Sequence, residues 1–300
     1  MHYNRRLFLK SAGFATLGAA ALPLISCSTN TSSDGASDTT AVAGDASVRK
    51  ISTFGIQLYS ARDIIGKDPK GVLKQIADLG YKEVESYQGD QGVFWGMTPK
   101  EFKAYMDELG MRIVSTHADT SKDLEKLANE CAEAGLSYVL QPYIGAQPTV
   151  DDWKKRADEF NKRGEICNKA GIKFGYHNHD YSFKEIDGQI PQEILLANTD
   201  PSLVMYELDM CWISVANKDI AEHLNKFKGR YELCHVKDYV RNPEVQQTDL
   251  GKGVVDYPTI LGVAEDTGIK HFIVEQEEYP ESVMASLAHD ADYMRNLVIA

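Results

Sequence analysis

The feature that most constrains this chain is an alternation. Beyond residue 50, short apolar runs at 54–59, 83–86, 112–117, 138–143, 173–178, 203–209, 231–236 and 271–275 are separated by amphipathic segments. Those segments include 69–79, 98–109, 124–134, 150–170, 219–227 and 257–267. Runs of that length read as buried strands, and segments with a 3.6-residue apolar period read as helices. Five of the helical segments end in Gly just before the next strand: Leu79-Gly80, Leu109-Gly110, Ala134-Gly135, Ala170-Gly171 and Thr267-Gly268. Gly is favoured there because a positive φ costs it little. Eight strands alternating with about eight helices over roughly 250 residues is the count of a (β/α)8 TIM barrel. An open doubly wound sheet is the alternative, but no GxGxxG follows the first strand. The sequence therefore predicts a single-domain α/β barrel over residues 50–300.

The residues before the barrel follow a different logic. Asn4-Arg5-Arg6-Leu7-Phe8-Leu9-Lys10 reads as a twin-arginine export signal. The apolar stretch 11–25 is too short for a comfortable membrane span. It runs into Leu24-Ile25-Ser26-Cys27, a lipobox pattern with Cys27 as the lipidated residue. Residues 1–26 are expected to be a twin-arginine lipoprotein signal peptide. Residues 27–49 are rich in Ser, Thr, Asp, Gly and Ala. With almost nothing to bury, they are expected to form a flexible linker. The expected location is outside the cytoplasmic membrane, periplasmic or membrane-anchored, with the membrane touched only through the lipid.

Charge narrows the partners. The chain carries 32 Lys+Arg against 44 Asp+Glu, a formal net charge of -12. Removing residues 1–26 takes away Arg5, Arg6 and Lys10 and no carboxylate, leaving 29 cations against 44 anions, or about -15. Binding to nucleic acid needs clustered Lys and Arg, and no basic stripe is present, so nucleic acid is excluded as a partner. A small molecule remains the expected partner, and a homo-oligomer is left open. Cys131, Cys167, Cys211 and Cys234 form no CxxC pair and read as small buried thiols.

In a barrel of this kind the chemistry sits at the C-terminal ends of the strands. Strand five ends Tyr176-His177-Asn178-His179-Asp180, strand six Tyr206-Glu207-Leu208-Asp209, strand seven Cys234-His235-Val236-Lys237-Asp238, and strand eight Val274-Glu275-Gln276-Glu277. Side chains alternate faces, so His177 pairs with His179, Glu207 with Asp209, and Glu275 with Glu277. A lone strand-end His is usually an ordinary hydrogen-bonded residue. Imidazoles and carboxylates on four neighbouring strands are a metal-site pattern, suited to Mn, Co, Fe or Zn.

The segments Gly55-Ile56-Gln57-Leu58-Tyr59, Tyr176-His177-Asn178-His179, Glu207-Leu208-Asp209-Met210-Cys211-Trp212, His235-Val236-Lys237-Asp238 and Ile273-Val274-Glu275-Gln276-Glu277 occur in this order. Together they make the chain resemble the xylose-isomerase-like sugar phosphate isomerase/epimerase superfamily from about Phe54 onward. The resemblance implies a divalent metal held from strands five to eight, and Asp209, His235 and Glu275 match that set. Many relatives reading Tyr-His-Asn-His carry Glu where this chain has Ser182. That leaves His179 as the fourth ligand, with a weaker or absent metal as the alternative.

The chemistry of such a site is proton removal next to a carbonyl. Glu277 is the candidate base, Lys237 the charge beside the developing oxyanion, and His117 a proton shuttle. Glu85, His177, Tyr59, Tyr143 and Trp212 are candidate substrate contacts. Export argues against a phosphorylated metabolite, and Gly251-Lys252-Gly253 is only a weak phosphate-loop candidate. Within the superfamily, some relatives resemble lyases that open 3-keto-glycosides. Three readings follow: β-elimination from a 3-keto-glycoside, isomerisation or epimerisation of an unphosphorylated keto-sugar, and non-catalytic carbohydrate binding.

Overall fold

The computed structural model describes residues 49–300. The expected signal peptide, Cys27 and the linker up to residue 48 lie outside the described residues. The barrel strands are β1 (Gly55–Gln57), β2 (Glu83–Tyr87), β3 (Arg112–His117), β4 (Tyr138–Gln141), β5 (Lys173–His177), β6 (Val204–Asp209), β7 (Tyr231–Val236) and β10 (His271–Val274). They close in the order β1-β10-β7-β6-β5-β4-β3-β2, all pairs parallel. This is the (β/α)8 TIM barrel expected from the alternation. Between β7 and β10 lies an antiparallel hairpin, β8 (Asp238–Arg241) and β9 (Val245–Thr248), which the hydrophobic pattern does not announce.

The helices are α1 (Arg62–Ile65), α2 (Pro69–Asp78), α3 (Pro99–Glu108), α4 (Leu124–Ala134), α5 (Val150–Lys169), α6 (Pro191–Asn198), α7 (Met210–Val215), α8 (Ile220–Lys226), α9 (Tyr257–Thr267) and α10 (Val283–Asn296). None of them is long and apolar enough to cross a membrane. Local chemistry explains their ends. Thr98 and Glu101 form a capping box at the start of α3. Gly135 and Gly268 end α4 and α9 with positive φ, 87° and 112°.

The longest helix, α5, buries Trp153, Ala157, Phe160, Gly164 and Cys167, spaced for one helical stripe. Burying Trp153 or Phe160 contributes roughly 1.5–3 kcal/mol each. Gly164 is there because β6 approaches closely: an added Cβ would lie 2.5 Å from the Leu203 carbonyl oxygen. The four described cysteines are buried and free.

Inside the barrel the two-residue period stacks layers. Tyr138, Leu140, Met205 and Leu233 form a small apolar cluster. One pleat further along, His177 lies beside Glu207 on β5 and β6, and Asp209 beside His235 on β6 and β7. The layer above the apolar floor is therefore polar, and the site is built on it.

Candidate metal and catalytic centre

Ligand atoms of Asp209, His235 and Glu275 all lie within 4.8 Å of one another, and all three residues are buried. His235 Nδ1 is 3.0 Å from Glu275 Oε2 and 3.8 Å from Asp209 Oδ2. His177 Nε2 faces the same Asp209 oxygen at 3.9 Å. Asp209 also caps α7, where its Oδ1 accepts from the Trp212 N–H at 2.8 Å. Its other oxygen is buried without a hydrogen-bond partner. This oxygen faces two imidazoles and a second carboxylate, and its one cationic neighbour is the Lys237 ammonium at 3.3 Å, which makes no hydrogen bond to it; such a donor set suits a divalent cation.

Lys237 is the cation that the chain itself supplies. Its ammonium, 1% exposed, lies 2.5 Å from Glu275 Oε2, 2.8 Å from Glu277 Oε1 and 3.3 Å from Asp209 Oδ2. Burial works against its charge, but Asp209, Glu275 and Glu277 outweigh burial and hold its pKa well above the usual value. Burial likewise pushes Glu275 toward neutrality, and Lys237 and His235 override it, leaving its pKa well below the usual carboxylate value. His177 goes the other way. Burial and the neighbouring His235 and His117 drive its pKa well below the usual value, so its ring is neutral.

Beneath this group lies a second buried cluster of His117, His177, Glu207 and His235. Glu85 joins it, accepting from His235 Nε2 at 2.7 Å and from Gln57 Nε2 at 2.8 Å. Burial, and then the charge of Glu85, raises the pKa of Glu207. Glu85 is buried too, yet His117 and His235 hold its pKa down.

Above lies a cavity of 410 Å³ whose walls include Tyr59, His117, Tyr143, His177, His179, Lys237, Glu275 and Glu277. Eight of the residues expected from the sequence therefore line one mouth, while Asp209 and His235 are fully buried behind that lining. Two other residues are also missing from it. Glu85 is fully buried and turned into the lower cluster, so it does not line the cavity, and the register of β2 shifts between Val84 and Glu85. Trp212 stands behind the wall, stacked on His179 at 5.9 Å with Lys237 Nζ 5.4 Å from its ring centroid.

His179 lies beyond the end of β5 and belongs to neither ligand cluster. Its ring stacks on Tyr181 and meets Tyr143 edge-on, and its Nδ1 has no partner. The strand-five group facing Asp209 is His177. Ser182 is buried, with its hydroxyl 3.0 Å from that of Tyr176, and belongs to neither ligand cluster. Gly251 and Gly253 donate their N–H groups to Asp238 Oδ2 at 3.1 and 3.0 Å, which leaves neither of them for a phosphate.

Besides Glu207 and Gln57, two supporting residues escaped sequence reasoning. Gln247, on the hairpin, accepts from the Glu277 N–H at 2.7 Å and donates to Glu277 Oε1 at 3.2 Å. Tyr87 packs edge-on between Tyr59 and Trp95 at the cavity rim. The Glu207/Asp209 alternation was a signal for Glu207. Nothing in the local sequence marks Gln247.

A family model described as a xylose isomerase-like TIM barrel matches residues 73–297. An inosose dehydratase of Clostridium perfringens is 26% identical over 148 residues, 43% of this chain and 49% of that protein. The chain thus spans about half the length of that curated relative. A second inosose dehydratase, from Clostridium beijerinckii, is 23% identical over 256 residues, 77% of this chain and 82% of that protein. Among solved structures, a sugar phosphate isomerase/epimerase of Parabacteroides distasonis is 28% identical with a TM-score of 0.71. That alignment covers 87% of this chain and 99% of that one.

Proposed function

Since the chain belongs to the xylose isomerase-like TIM-barrel family, we propose that it is a divalent-metal-dependent enzyme that removes a proton from a sugar carbon next to a carbonyl. The reaction that fits best is β-elimination of the C1 substituent from a 3-keto-glycoside. One observation carries this reading. Glu277, which reaches the cavity, lies beside a buried Asp–His–Glu ligand group and 2.8 Å from a fully buried ammonium.

His177, Asp209, His235 and Glu275 would hold the cation, and their imidazole and carboxylate donors suit Mn, Co, Fe or Zn. When bound, the cation supplies Lewis-acid polarisation of the carbonyl. Glu277 takes the C2 proton, and the C2–H electron pair moves toward the C3 carbonyl. Lys237 places fixed positive charge beside that carboxylate and the developing oxyanion. When the electron pair returns, it forms the C1–C2 double bond and expels the C1 substituent, which leaves as an alcohol after protonation. Tyr59 and Tyr143, 38% and 59% exposed, offer flat faces at the cavity edge for the sugar and its substituent.

Relatives named as dehydratases support elimination over isomerisation, because loss of water beside a ketone, like loss of the C1 substituent here, ends in expulsion of a group from the carbon β to the carbonyl. The name of the Parabacteroides relative favours a second reading, isomerisation or epimerisation of a keto-sugar. An unphosphorylated substrate is favoured in both. Lys237 is the one Lys or Arg among the described cavity residues, and three carboxylates already claim it. Residues 1–27 fit an exported, lipid-anchored protein, which palmitate labelling of the parent and a Cys27→Ala variant would test.

The reaction is tested by incubating a 3-keto-glucoside with the metal-loaded protein in deuterated water. Aglycone release with a metal-dependent unsaturated or hydrated keto-sugar is expected. Much faster turnover of free or phosphorylated ketoses would replace the lyase reading with the isomerase one.

A further inference from the structure

Each ligand imidazole has two nitrogens, and the lower cluster decides which one faces the cation. His177 Nδ1 is 2.9 Å from Glu207 Oε2, which leaves Nε2 toward Asp209. His235 Nε2 is 2.7 Å from Glu85 Oε1, which leaves Nδ1 toward Asp209 and Glu275. The two carboxylates are tied together by His117, whose Nε2 lies 2.8 Å from Glu207 Oε2 and 3.1 Å from Glu85 Oε1. Gln57 fixes the far end. It donates to Glu85, and its own Oε1 accepts from the Tyr59 N–H at 2.9 Å. Glu85 and Glu207 are fully buried, and His117 nearly so.

We propose that Glu85 and Glu207, joined through His117, form a carboxylate strap that fixes the tautomers and ring orientations of His177 and His235 and thereby sets the affinity of the metal centre. They are positioning residues, because each bonds the imidazole nitrogen that is turned away from Asp209. The inference rests on the metal reading given above.

The same atoms have the ligand types of a second metal site, but their spacing argues otherwise. Three imidazole nitrogens converge on one oxygen, Glu207 Oε2, at 2.8, 2.9 and 3.3 Å. A cation would need that oxygen as one neighbour among several, at about 2.0–2.2 Å, with the nitrogens around the same centre. Here the oxygen itself occupies the centre. The lower cluster is a set of N–H donors around a carboxylate.

The test uses the purified chain loaded with cobalt(II), with affinity measured by chelator competition and the ligand field by visible absorption. Glu85→Gln and Glu207→Gln keep the side-chain shape and remove the charge. Each should retain the fold by circular dichroism, bind cobalt about 10–100-fold more weakly and shift the d–d bands. If Glu207→Gln does not fold, His117→Gln, which cuts the strap without touching either ligand's own hydrogen bond, should show the same changes at smaller size. Parent protein that binds no divalent cation would end the metal reading itself. One ion per chain, with affinity and spectrum unchanged in Glu85→Gln and Glu207→Gln, would overturn the strap and leave the metal centre standing. Two ions per chain, with one lost in Glu207→Gln, would overturn it in favour of a second site.

Discussion

At the residue scale, the proposed reaction assigns proton removal to Glu277 and metal binding to Asp209. Glu277→Gln should slow aglycone release by ~10²–10⁴-fold, the usual range for a general base, while binding of the keto-glycoside largely survives. Steady-state kcat and KM on the 3-keto-glucoside check this, and an unchanged kcat would remove Glu277 from the chemistry. Asp209→Ala should lose most bound metal as well as activity, measured by elemental analysis after gel filtration. Full activity in chelator-treated, metal-free parent protein would refute that. The two-residue period put Asp209, His235 and Glu275 among the residues of one mouth, and the family resemblance singled them out as candidate ligands; the structure groups the three. That His177 rather than His179 faces Asp209 was not legible. The period selects a face but does not say where the strand stops, and β5 stops at His177, after which the chain turns.

At the scale of elements, two helices carry testable loads. Gly164 lets α5 lie against the start of β6. Gly164→Ala would set a methyl 2.5 Å from the Leu203 carbonyl oxygen and 2.8 Å from its Cβ. A loss of about 1–3 kcal/mol is expected, read from urea denaturation, despite the better helix propensity of Ala. On α10, Asp290 is buried and accepts from the Leu250 N–H at 2.8 Å. Burial, with Asp249 and Asp238 nearby, raises its pKa from the ordinary 3.8 to about 7.

The folded state therefore binds more protons than the unfolded state between those values. Asp290 favours folding most below pH 4, and that contribution is lost as pH rises through 7, by ~4 kcal/mol at most. Asp290→Asn, which keeps the acceptor and cannot ionise, should match the parent near pH 4 and exceed it in stability at pH 8. An equal stability gap at both pH values would contradict this. The hairpin β8–β9 was illegible for a related reason. Its strands pair only with each other and are held by Asp238 and Gln247, so no apolar alternation records them.

For the whole molecule, the barrel was legible because closure repeats one unit eight times, and the repeat survives errors at individual boundaries. The metal should stabilise that whole. The proposed ligands come from four strands or their ends, so a cation bound to the folded state and not to the unfolded chain would shift the global equilibrium. At a free metal concentration 100 times Kd the gain is about 2.7 kcal/mol. For a domain of this size that corresponds to a Tm rise of about 5–10 °C, reversed by chelator. Calorimetry with and without metal checks it, and an unchanged Tm at saturation would mean that the ligands do not act together.

Closure also sets a schedule for synthesis. The first strand, β1, pairs on one side with β2 and on the other with β10, the last to leave the ribosome. At about 5–20 residues per second, the chain spends tens of seconds with one flank of β1 waiting. Glu275 and Glu277 follow directly after that strand, so the nascent protein has neither a sealed barrel nor a complete cavity wall until they emerge. A ribosome that stalls before residue 271 leaves an open sheet with two sticky edges, a substrate for chaperones and proteases and inert toward any sugar.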